Sequence, residues 1–125
     1  MSAAARAVTG TRHAHGLAAE AAACAALAAE GWTLLGRRVR TPAGEIDVIA
    51  EREGLLALVE VKRRASLAAA AAALAPRQRA RLLAAAELLL AAHQDWGRAG
   101  VRFDVIVVDA AGRVRRIADA FRAGD

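Results

Sequence analysis

The chain contains one lysine, Lys62, against 17 arginines. It stands two residues after Glu60, in the run Leu58-Val59-Glu60-Val61-Lys62. In a composition so committed to arginine, a lysine marks a position where positive charge alone does not suffice. Arginine presents a wide planar fork that stays protonated, whereas lysine is a compact point charge. A centre that must orient a water, or set one charge beside a reacting phosphate, distinguishes the two. Three carboxylates in apolar surroundings can join it. Asp47 interrupts Ile46-Asp47-Val48-Ile49, although aspartate is a poor strand former. Glu60 ends the apolar half of its own run. Glu20 shares a helical face with Leu17, Cys24 and Leu27 rather than opposing it. Two carboxylates brought close repel unless a cation lies between them, and a hard divalent ion such as Mg²⁺ accepts carboxylate oxygens while keeping waters. A plainer reading stays open for each residue: Glu60 and Lys62 as a same-face ion pair, Asp47 as a hairpin-edge residue, and Glu20 as the partner of an arginine such as Arg38.

The elements that must position these residues follow from periodicity and turn signals. Residues 1–13 read as a flexible tail, and residues 14–125 as one domain. His15 to Glu30 has helical spacing, with Gly31 as its C-cap. Trp32 to Arg40 reads as a strand, Thr41-Pro42-Ala43-Gly44 as a turn, and Glu45 to Ala50 as a second strand. Glu51-Arg52-Glu53-Gly54 reads as a hairpin loop and Leu55 to Lys62 as a third strand. Ala65 to Leu74 is Ala-rich and compatible with a helix. Pro76 suits the first turn of a longer helix reaching His93. Val101 to Asp109 and Arg113 to Ile117 are the last two strands, joined by a turn at Ala110-Ala111-Gly112. The order helix, three strands, helix, two strands predicts an α/β domain with a mixed sheet and packed helices. In 55–62, Leu56, Leu58, Glu60 and Lys62 share one face, and Leu55, Ala57, Val59 and Val61 the other. Both faces are apolar until the end, as in a central strand covered on both sides. In 45–50, alternation puts Glu45, Asp47 and Ile49 on one face and Ile46, Val48 and Ala50 on the other. Pairing of the two strands brings Asp47 near Glu60.

Composition narrows the partners. At 125 residues one domain is expected. Roughly three residues in ten are alanine, which accounts for much of the apolar content. The apolar stretches Leu67–Ala75 and Leu82–Ala92 are too short for a bilayer or are broken by Glu87. The N-terminus has no signal-type apolar segment, so a cytoplasmic protein without membrane attachment is expected. The single Cys24 excludes an intrachain disulfide, and no Cys/His set has zinc spacing. His13 and His15 form an H-x-H pair within the tail. The formal charge of +5 suits a polyanionic partner, and four aromatics without tyrosine argue against a base-stacking surface. Arg102 with Asp104 reads as a structural ion pair, and Trp32 and Trp96 as packing residues.

Gly44-Glu45-Ile46-Asp47-Val48-Ile49-Ala50 followed by Val59-Glu60-Val61-Lys62-Arg63-Arg64 resembles the YraN family of small bacterial proteins. That family in turn resembles the PD-(D/E)xK nucleases and the archaeal Holliday-junction resolvases. The likeness runs from about Gly16 to Phe121 and includes Arg102-Phe103-Asp104-Val105 and Ala120-Phe121. It implies a restriction-endonuclease-like fold, with a central five-stranded mixed sheet in the order α-β-β-β-α-β-β. By position it makes Asp47 the metal-binding aspartate, Glu60 and Lys62 the acid and lysine of the E-x-K element, and Glu20 the acid contributed from the first helix. Gln78 stands where a lysine is expected, and Arg38 where an asparagine is usual.

The resemblance implies Mg²⁺- or Mn²⁺-dependent hydrolysis of DNA phosphodiesters, with branched or flapped DNA as candidate substrates. Asp47, Glu60, the Val61 carbonyl and Glu20 are the expected metal ligands. Lys62 would orient or deprotonate the attacking water, or stabilise developing charge, and Glu45 would support Asp47 from the same face. Arg40, Arg63, Arg64, Arg77, Gln78 and Arg81, with Arg79 nearby, are the expected backbone contacts, which give affinity without reading sequence. A homodimer follows by analogy with resolvase-like relatives. Two alternatives remain: a nucleic-acid-binding protein that keeps the fold without catalysis, and an interaction protein whose acids form a buried ion network.

Overall fold

The computed structural model describes residues 11–66, 69 and 75–122 of the chain, and the side chains from residue 16 onward. It is the predicted α/β domain in the predicted order: α1 (Thr11–Ala29), β1 (Thr33–Thr41), β2 (Gly44–Arg52), β3 (Leu55–Arg63), α2 (Pro76–Ala92), β4 (Gly100–Val108) and β5 (Val114–Phe121). The strands form one sheet in spatial order β1-β2-β3-β4-β5. β3 and β4 are parallel, and the other neighbours antiparallel. β3, apolar on both faces, is therefore the central strand, and α2 lies in the crossover that a parallel pair requires. Among the described residues no helix is long and apolar enough to cross a membrane.

Each helix covers one face of the sheet. Ala19, Ala23, Cys24 and Leu27 of α1 pack with Trp32 on Val48, Ala50, Ala57, Val59, Ile106 and Val108. Leu82, Ala85, Ala86 and Leu89 of α2 pack on Ile46, Ile49, Leu56, Leu58, Phe103 and Phe121. The alanines let the helices approach the sheet closely. α1 ends in a Schellman motif: the Gly31 N–H donates to the Ala28 carbonyl at 3.0 Å and the Trp32 N–H to that of Leu27 at 3.1 Å. Gly31 has φ +86°, open to glycine at little cost. Leu27 and Trp32 then bury together, so the cap also fixes where β1 begins.

Several boundaries differ from the sequence expectation. α1 starts at Thr11, so residues 11–13 belong to it rather than to a tail. Residues 1–10, most of the Ala65–Leu74 stretch, and the side chains of His13 and His15 lie outside the described residues. The β2–β3 loop is only Glu53-Gly54, with φ of +52° and +81°, the two positive values a type I′ hairpin needs. β5 runs on to Phe121, past a break in its register with β4 between Phe103 and Val105. Asp119 sits at this break with φ +52°, and its N–H donates to Asp104 Oδ1 at 2.9 Å.

Asp104 is 1% exposed. It accepts from Arg102 Nη2 at 3.1 Å, and its Oδ1 lies 3.0 Å from Arg102 Nε, so the predicted ion pair is present. Removing the carboxylate strands both a guanidinium and a buried amide. Asp104→Ala is expected to lower stability by about 3 kcal/mol or more, read as a reduced urea midpoint with unchanged slope. A loss below roughly 1 kcal/mol would show that the bulge does not depend on this carboxylate.

Candidate active site

β2 and β3 pair from Arg52↔Leu55 to Val48↔Val59 and then part. The next rung would join Asp47 to Glu60. Instead Asp47 Oδ2 accepts the Val61 N–H at 2.8 Å. A side chain thus replaces a backbone carbonyl, and the sheet forks where the two acids stand. The strict alternation expected of β2 breaks here. Ile46 joins Ile49 on the α2 face, while Val48 and Ala50 face α1. The partner strand is also distorted at this level, with Arg38 at φ +50°.

Glu60 is buried and Asp47 half-buried. Burial pushes the Asp47 carboxyl from its ordinary 3.8 up to about 7, and the charge of Glu60 and a hydrogen bond with it push the same way. The Val61 N–H opposes them, and the charge of Glu20 adds a smaller upward push. Asp47 therefore keeps its proton through the acid range unless a cation offsets its neighbour. Lys62 places a positive charge beside Glu60: its Nζ lies 3.3 Å from Glu60 Oε1 and donates to Gln78 Oε1 of α2 at 3.3 Å. Asp47, Glu60, Val61 and Lys62 are thus brought together as expected, with Gln78 in the place where a lysine was expected.

Glu20 is held differently. Buried on α1, its carboxylate accepts from Arg38 Nε at 3.1 and 3.2 Å and lies 3.5 Å from Arg37 Nη2. The arginine partnership weighed from sequence is the observed one, with Arg37 as an unforeseen second member. Its only sequence signal is the Arg37-Arg38 doublet, which becomes readable once the register places Arg37 opposite Val48. Among the described residues no group of three or more His, Cys, Asp or Glu gathers to hold a metal. Of the three acids singled out in the sequence, Asp47 and Glu60 are the two that stand together at the fork.

A pocket of about 210 Å³ opens beside Glu60, lined by Gly44, Glu45, Gln78, Arg81 and Leu82. Glu45 is exposed, lies 3.5 Å from Arg40 Nε, and borders the pocket. Arg40 and Arg77 are solvent-exposed on β1 and the first turn of α2, and Arg63 and Arg79 are half-buried. Arg64 Nη1 donates to the Arg63 carbonyl at 2.7 Å.

A carboxyl whose folded pKa exceeds its unfolded value costs stability as pH rises. The folded state has its full share below the unfolded value of 3.8 and loses it as pH climbs through about 7. Without divalent metal, Asp47→Asn should therefore exceed the parent at pH 8 by on the order of 2 kcal/mol, or about 8 °C in Tm. The gain should vanish below pH 4. Equal Tm values at pH 8 would contradict the strained carboxylate pair.

Comparison with known proteins agrees in extent with this unit. The model of the uncharacterised protein family UPF0102 matches residues 19–108, from α1 through β4. A UPF0102 protein of Granulibacter bethesdensis is 65% identical over 107 residues, 86% of this chain and 68% of that relative. One from Bradyrhizobium sp. is 50% identical over 108 residues, 86% of this chain and 77% of its own. One from Azorhizobium caulinodans is 49% identical over 109 residues, 87% and 83% of the two chains. The match takes in both arms of the fork, Asp47 on β2 and Glu60 to Lys62 on β3, and the chain belongs to the UPF0102 family, the YraN family.

Proposed function

We propose that this protein is a metal-dependent nuclease that hydrolyses phosphodiester bonds in DNA, branched or flapped DNA included. The observation that carries the reading is the Asp47–Glu60 pair at the fork, with Lys62 held 3.3 Å from Glu60. An acid pushed up to about 7 beside a second carboxylate is a donor pair in need of a cation. Hard oxygen donors that keep room for water suit Mg²⁺ or Mn²⁺. Asp47 and Glu60 would hold the ion with the Val61 carbonyl, and Glu20 would act at one remove through its charge. A bound divalent ion would supply a more acidic water and neutralise charge on the phosphate.

The chain's own residues carry the rest. Lys62, fixed by Glu60 and Gln78, orients the attacking water or offsets charge on a non-bridging phosphate oxygen. The water oxygen forms the new P–O bond as its proton passes to solvent or a neighbouring base; the bridging P–O bond breaks, and the departing sugar oxygen takes a proton from solvent to leave as a hydroxyl. Arg63, Arg64, Arg77, Gln78 and Arg81, with Arg40 at the edge, grip the backbone on either side. One observation favours the alternative of a binding protein without catalysis: Glu20 is held by two arginines instead of joining the other acids.

Cleavage of linear, flapped and four-way DNA in Mg²⁺ or Mn²⁺ tests the reading. The parent is expected to cut in metal and not in EDTA. Asp47→Ala and Lys62→Ala should each lose roughly 10²–10⁴-fold, and Lys62→Arg should keep the fold but lose most of the rate. Equal activity in all four proteins would mean that another enzyme is responsible. A parent that binds DNA but never cuts it would establish the alternative.

A further inference from the structure

Arg64 continues the β3 face that carries Glu60 and Lys62, and it borders a second pocket. This pocket, of about 260 Å³, is lined also by Ser66, Val107, Asp109, Arg113 and Arg115. Three guanidiniums face one carboxylate there. Asp109 is committed to the β4–β5 turn: its Oδ1 accepts the N–H groups of Ala111 and Arg113 at 2.9 Å, and its Oδ2 accepts Arg113 Nε at 2.9 Å. It thus sets the Arg113 side chain while spending its own acceptors. Arg115 is exposed, and among the described residues no hydrogen bond or ion pair engages it.

The sheet register locates this pocket relative to the acids. Lys62 lies beside Val107 on β4, and Val107 lies beside Arg115 on β5. Lys62, Val107 and Arg115 therefore stand in one row across the sheet face on which α2 lies. Neighbouring strands are about 4.8 Å apart, so Arg115 starts roughly 10 Å from Lys62. Successive phosphates of one strand lie roughly 6–7 Å apart, further than the axial rise of about 3.4 Å because the backbone winds around the axis, so this distance spans one to two nucleotide steps. The cleft of Gln78 and Arg81 flanks Lys62 on the opposite side.

From this arrangement we propose that Arg64, Arg113, Arg115 and Ser66 form a phosphate subsite for the nucleic-acid backbone, one to two nucleotides from the bond cut at Asp47, Glu60 and Lys62. The proposal rests on the nuclease reading and adds the path of the substrate: from the Gln78–Arg81 cleft, past Lys62, over the ends of β3 and β4 to the β4–β5 turn. Guanidiniums take phosphate oxygens bidentately, and the 260 Å³ pocket leaves room for the group with some of its water.

The test is DNA binding in EDTA, where cleavage is off, measured by fluorescence anisotropy across a salt series. Arg115→Ala, which has no partner among the described residues to lose, and Arg113→Ala/Arg115→Ala are compared with Arg98→Ala, an exposed arginine at the far end of the sheet. The double variant should lower the slope of log affinity against log salt by about 1, the contribution of one phosphate contact. Arg115→Ala should shift it the same way, and Arg98→Ala not at all. A single methylphosphonate moved along the strand should weaken parent binding one to two nucleotides from the cut and leave the double variant indifferent there. A parent that binds DNA with slopes unchanged in both variants overturns the subsite and leaves the nuclease reading standing. A parent that binds no DNA overturns both.

Discussion

One hydrogen bond organises the centre of this fold. Where the β2–β3 ladder would continue, the Val61 N–H turns to the Asp47 carboxylate at 2.8 Å. The bond satisfies a half-buried amide, and it also fixes a carboxylate beside Glu60 at a depth where two negative charges are unfavourable together. The pair is held because the surrounding structure is stiff. β3 is covered on both faces and paired on both edges. The strain therefore appears as a raised pKa rather than as a displaced strand.

The lone lysine fits this constraint. Its Nζ lies between Glu60 Oε1 and Gln78 Oε1, 3.3 Å from each. A compact ammonium can sit between two acceptors on separate elements. A guanidinium is wider and planar, and would push against α2 or leave the acid. Elsewhere arginine serves well: Arg37 and Arg38 clamp Glu20, and Arg52, Arg102 and Arg116 lie 4.9, 5.1 and 5.7 Å from the buried Trp32 ring. In each case breadth and stacking are what the site uses.

Much of this was legible in the sequence, for identifiable reasons. The apolar run on both faces of 55–62 marks a central strand, and Gly31 marks the end of α1, because burial and positive φ leave strong local signatures. Asp47 stood out as an acid among β-formers, and the register brought it to Glu60. What the sequence did not disclose depends on long-range geometry. The fork breaks the alternation at Ile46, which no period-2 reading can see. The continuation of β5 to Phe121 relies on Asp104 receiving the Asp119 N–H from a strand 15 residues away. Glu20 read as a ligand or an ion-pair member equally well until β1 was placed beside it. Arg113 and Arg115 look like ordinary exposed cations until the register sets Arg115 in a row with Lys62.

In the function we propose, Asp47 and Glu60 form a donor pair completed by a divalent cation. Calorimetric titration of Mn²⁺ at pH 6.5, repeated in buffers of different ionisation enthalpy, tests it most directly. Saturable binding with release of a substantial fraction of one proton is expected, because a carboxyl at about 7 must lose its proton to the ion. Asp47→Asn should lose both the binding and the proton release. Mn²⁺ binding of equal strength in parent and Asp47→Asn, or no binding by the parent, would mean that the two carboxylates hold no cation.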